Sequence, residues 1–97
     1  ENAAYPSGLC AERTAIFYTG ANFPDVKITK IFVIGAPRDA IKSVPIPPCG
    51  ACRQSILEYE AKQQDVIEVY FASLNDVIFK TNSIRDLLPF SFDSSYL

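Results

Sequence analysis

Cys10-Ala11-Glu12-Arg13 and Pro48-Cys49-Gly50-Ala51-Cys52 hold every cysteine of the chain, and there is no histidine. Three thiolates beside one carboxylate meet the demands of a catalytic zinc site: three protein ligands, a fourth position open to water, and a group that can carry protons. A structural zinc site closes with four protein ligands, and no fourth cysteine or histidine exists here. If Cys10, Cys49 and Cys52 bind Zn2+, their three charges outweigh the ion's two and weaken it as a Lewis acid. Arg13 and the positive ends of two helices can offset that excess. With no imidazole available, Glu12 is the evident proton carrier.

Two helices must present these groups. The first is expected over about 10–19, with Gly20, Asn22 and Pro24 as stop signals. Cys10 and Glu12 then lie in its first turn, where free N–H groups and the dipole favour thiolates and carboxylates. The second is expected over about 50–62, entered directly from Pro48, with Cys49 at its cap and Cys52 in its first turn. That spacing puts two sulfurs on one side of a helix start, within reach of one ion.

Between the helices, residues 28–36 read as a strand. Its core Ile31-Phe32-Val33-Ile34 is apolar on both faces, which predicts cover on both sides. Residues 37–48 form a proline-rich loop. Two further strands follow, over 66–73 and 77–81, separated only by Leu74-Asn75-Asp76. A link that short makes a hairpin and cannot make a parallel crossover. A short helix over 83–88 has Ser83 as cap and Asp86 at the capping-box position, and Pro89 ends it. The order helix, strand, helix, strand, strand, short helix predicts an α/β, three-layer α-β-α domain with one mixed sheet.

The 97 residues suffice for one domain, taken as 1–97. The chain is 48% hydrophobic and 21% charged, which is ordinary globular composition. A net charge of −2, a pI near 4.9 and nine scattered Lys and Arg argue against nucleic acid as a partner. An odd number of cysteines fits a reduced metal site, and hence the cytoplasm, better than a disulfide framework. No segment is long and apolar enough to cross a membrane. The chain contains no methionine and opens on Glu1-Asn2-Ala3-Ala4, so an upstream portion is expected.

Cys-Ala-Glu followed by Pro-Cys-x-x-Cys resembles the zinc-dependent nucleoside and nucleobase deaminases. Within them, Glu1-Asn2-Ala3-Ala4-Tyr5-Pro6, Cys10-Ala11-Glu12-Arg13-Thr14-Ala15, Pro48-Cys49-Gly50-Ala51-Cys52-Arg53-Gln54 and Leu87-Leu88-Pro89-Phe90-Ser91-Phe92 resemble cytidine deaminases of the small homotetrameric type. The resemblance implies one zinc per chain on Cys10, Cys49 and Cys52, with Glu12 as general acid/base. It implies that Arg13 and Gln54 tune the thiolates and that Glu1 accepts from the ribose 3′-hydroxyl. Backbone at Ala11 would read the pyrimidine, and Phe92 would stack on the base bound in a neighbouring subunit. It further implies a helix and two strands ahead of Glu1, so activity of the 97 residues by themselves is in question.

Two other readings stand beside deamination of cytidine and deoxycytidine in pyrimidine salvage. One is a related aminohydrolase acting on another cytosine-containing nucleoside, such as an antibiotic. The other is a zinc-stabilised module without catalysis. The three-residue link between the last strands leaves no room for the helix that polynucleotide deaminases carry there, which favours a free nucleoside.

Overall fold

The structure is a computed structural model that describes residues 3–38 and 44–97. Helix α1 spans Ala11–Asn22, strand β1 Lys30–Ile34, helix α2 Gly50–Gln63, strand β2 Glu68–Ala72 and strand β3 Ile78–Thr81. A 3-10 turn at Ile84–Leu87 and another at Ser94–Tyr96 complete the described elements after β3. None of the described helices is long and apolar enough to cross a membrane.

The sheet order is β1-β2-β3, with β1 and β2 parallel and β2 and β3 antiparallel. Helix α2 supplies the crossover that two parallel strands require. The expected hairpin is present: Ala72 faces Ile78, and Ser73 N–H donates to the Val77 carbonyl at 3.0 Å. Its turn carries Asp76 at φ 60°, a left-handed conformation that aspartate tolerates. The capping box at Ser83 and Asp86 is also present, although the turn it opens is 3-10 rather than α.

One core joins both helices to one face of the sheet. Ile16 of α1, Ile56 and Leu57 of α2, Ile67, Val69 of β2 and Ile84 are buried together. Burying six such side chains is the main source of stability here, at roughly 1.5–3 kcal/mol each. Of the three layers expected, the described residues build the sheet and one helical layer.

Two expectations need correction. Helix α1 does not stop near residue 19; it runs through Gly20 to Asn22 and ends where Phe23 N–H bonds the Thr19 carbonyl, just before Pro24. Gly20 lies inside the helix with Tyr59 of α2 packed on it: an added Cβ would stand 2.5 Å from Tyr59 Oη. Among the described residues, strand β1 is covered on one face only. Ile31 and Val33 turn toward the helices, whereas Phe32 and Ile34 are 70% and 65% exposed. On that open face Phe32 stacks on Tyr70 at 4.4 Å, Lys80 lies over the Tyr70 ring, and Glu68 pairs with Lys30 and Lys80. Aromatic stacking and ion pairs thus make up the organised contacts of the uncovered side.

Candidate metal and catalytic centre

Both helices begin on a cysteine. Cys10 caps α1 with φ −66° and ψ 154°, and Cys49 caps α2 with φ −65° and ψ 167°. Each cap carbonyl takes the first helical hydrogen bond, from Thr14 N–H at 3.1 Å and from Arg53 N–H at 2.9 Å. Neither cap side chain closes a capping bond, although the Cys49 sulfur faces Cys52 of its own helix at 3.5 Å. A sulfur accepts such bonds weakly, so the first N–H groups of each helix keep their donor capacity directed at the space between them.

The three sulfurs meet in that space. Cys10 Sγ lies 3.7 Å from Cys49 Sγ, and Cys49 Sγ lies 3.5 Å from Cys52 Sγ. All three fall within 4.8 Å of one another, and no further ligating side chain joins them among the described residues. A tetrahedral zinc with Zn–S bonds of about 2.3 Å spaces its sulfurs by about 3.8 Å. The donor set and spacing therefore fit a metal ion bound on three sides.

Their surroundings differ. Cys49 is exposed, Cys10 half-buried and Cys52 buried. The Cys52 backbone N–H, and then its side chain, hold the Cys49 thiol below its ordinary range. Burial pushes the Cys52 thiol up to about 12, with Cys49, Cys10 and the charge of Glu12 adding to the shift. The Cys49 sulfur is thus poised to ionise, and the Cys52 sulfur needs a cation to hold its charge. Arg13 supplies part of it: its guanidinium lies against Cys10 and Cys52, which raise its own pKa. Its Nε is buried and unpartnered.

Glu12, second residue of α1, is half-buried and close enough for its charge to act on Cys52. Ala11 opens α1 beside Cys10 and is exposed. Gln54 Nε2 donates to the Phe92 carbonyl at 2.8 Å and to Glu58 Oε1 at 3.3 Å. The Phe92 ring is 57% exposed and stacks on Tyr96 at 5.6 Å. Gln54 thereby ties the C-terminal tail to the helix that carries Cys52. Glu1 lies outside the described residues.

Arg53 was not among the residues singled out by sequence. Its Nε donates to the Pro48 carbonyl at 2.7 Å and its Nη1 to the Leu87 carbonyl at 3.1 Å. The available signal was its place four residues after the Cys49 cap, since helical side chains lean back over the preceding turn. A cavity of about 570 Å³ lies at the far ends of the same helices, lined in part by Gly20, Phe23, Tyr59 and Lys62. It has none of the sulfur chemistry.

Similarity to known proteins agrees with this geometry. No family model matches the chain. Cytidine deaminase of Mycoplasma pneumoniae is 34% identical over 94 residues, which cover 97% of this chain and 65% of that protein. Cytidine deaminase of Sporosarcina psychrophila is 35% identical over 97 residues, covering 100% and 64%. The crystal structure of cytidine deaminase from Burkholderia pseudomallei superposes with a TM-score of 0.72 at 36% identity, covering 95% of this chain and 66% of that one. The chain thus spans just under two thirds of the length of these relatives. Three cysteines gathered at two helix starts, a carboxylate two residues past the first of them, and this likeness along the whole chain place the protein in the cytidine deaminase family.

Proposed function

We propose that this chain is a catalytic domain, 1–97, that hydrolyses the exocyclic C–N bond of cytidine and deoxycytidine to give uridine or deoxyuridine and ammonia. The observation that carries the reading is the cluster of three sulfurs beside Glu12 in a chain about 35% identical to cytidine deaminases. One zinc ion per chain, held by Cys10, Cys49 and Cys52, supplies Lewis acidity and a water of lowered pKa when bound.

The chain's own residues do the rest. Glu12 takes a proton from the attacking water and places it on N3 of the pyrimidine. It then carries a proton to the departing amino group, so one water is consumed and one ammonia released. Arg13 balances the thiolate charge from its position against Cys10 and Cys52. Glu1 is assigned to the ribose 3′-hydroxyl and the backbone at Ala11 to the base. Phe92 stacks on a base, and Gln54 serves by holding the Phe92 backbone. The acidic composition and the short β2–β3 link support a free nucleoside over a polynucleotide. The enzyme is assigned to the cytoplasm, as a homotetramer in pyrimidine salvage.

The test is direct. Zinc-loaded chain is incubated with cytidine, and ultraviolet absorbance and ammonia are followed together. One ammonia per uridine is expected, with turnover abolished by a chelator and restored by zinc. Deamination that persists at an unchanged rate in Glu12→Gln overturns the reading.

A further inference from the structure

The two cap cysteines are held with unequal firmness. Cys49 is the exposed member of the trio, so packing does not fix its side chain. Its direction is set by the two peptide planes on either side of its α-carbon, since φ and ψ are the only soft backbone angles. Arg53 bonds both planes. Its backbone N–H donates to the Cys49 carbonyl at 2.9 Å, and its Nε donates to the Pro48 carbonyl at 2.7 Å. The same guanidinium reaches the Leu87 carbonyl at 3.1 Å, so it is itself anchored by a segment 34 residues away. At Cys10 the arrangement is different: the Thr14 N–H and hydroxyl both go to the one carbonyl of Cys10, at 3.1 and 3.3 Å.

We infer that Arg53 is a positioning residue that sets where the Cys49 sulfur stands, acting through the peptide planes before and after Cys49. A flat guanidinium can hold two carbonyls at fixed angles, whereas a lysine ammonium is a point donor on a flexible stem. The inference rests on the reading of the three sulfurs as a metal centre, and its test separates the two.

Cobalt(II) is the probe, because its visible absorption reports thiolate number and tetrahedral geometry. The full chain is titrated with cobalt against a competing chelator, as wild type, Arg53→Met and Arg53→Lys. Outer partners of metal ligands are worth about 10–100-fold in metal affinity, and Arg53→Met is expected to lose that much and to shift the cobalt bands. Arg53→Lys is expected to recover part of the loss. In a Cys49→Ser background, Arg53→Met is expected to add little, because the sulfur it positions is gone. Wild type that binds no cobalt sinks the metal reading. Wild type that binds while both Arg53 variants match it in affinity and spectrum sinks the role of Arg53 alone. If Arg53→Met fails to fold, Arg53→Lys decides by the same comparison.

Discussion

The two ends of the α1–α2 pair are built on opposite principles. At the start of the helices polar groups are lightly used: neither cysteine side chain closes a capping bond, and Arg13 Nε is buried without a partner. Toward the other end polar groups are used up. Glu60, only 6% exposed, accepts from Ile67 N–H at 2.8 Å, Ile84 N–H at 3.2 Å and the Ser83 hydroxyl at 2.6 Å. Gln63 bonds both the N–H and the carbonyl of Ile28. Tyr59 closes on Gly20 so tightly that no side chain fits between. Binding needs unsatisfied groups held still, and they can be held still only by neighbours whose own bonds are complete.

That contrast can be broken at either end. The largest effect belongs to Glu12→Gln, which removes the proton carrier but keeps its shape. It is expected to cost about 10²–10⁴-fold in deamination rate with an unchanged melting temperature. Near-normal rates in a zinc assay would remove Glu12 from the mechanism. Next is Glu60→Ala at the satisfied end, which strands buried donors and is expected to cost about 3 kcal/mol of stability. Cobalt affinity of the folded fraction is expected to stay within about twofold, since losses below the 10–100-fold of true outer partners mark independence. Denaturant melts and the metal titration read the two quantities separately, and a fall in both would join the ends.

The two glycines of the helices sharpen the same comparison at smaller scale. Gly20→Val forces a branched side chain into the Tyr59 contact and is expected to destabilise by about 1–3 kcal/mol. An added Cβ at Gly50 meets nothing within 4 Å. Gly50→Ala is therefore expected to be neutral or to stabilise by up to about 1 kcal/mol, through the lower entropy of the unfolded chain. Equal melts for the two variants would mean that the helix pair is no tighter at one end than at the other.

Much of the architecture was legible because it is local. A proline after the last apolar turn stops α1, a three-residue link makes a hairpin, and Ser83 with Asp86 makes a cap. The errors arose where packing overrules the local signal. Gly20 reads as a stop, yet it lies inside α1 as a contact point for Tyr59. The apolar run 31–34 reads as doubly buried, but whether a face is covered depends on what is packed there, and among the described residues Phe32 and Ile34 stay exposed.

The site divides in the same way. Residue types and short spacings already determined that the chain owns three thiolates, that two of them share one helical turn, and that a carboxylate sits two residues from the third. Only the tertiary structure decided that Cys10 comes to 3.7 Å from Cys49 across 39 residues, that Gln54 bonds the Phe92 carbonyl of the tail, and that Arg53 grips the peptides around Cys49. The reason is that a helix dictates geometry over four residues, whereas contacts between distant segments follow from which faces bury together.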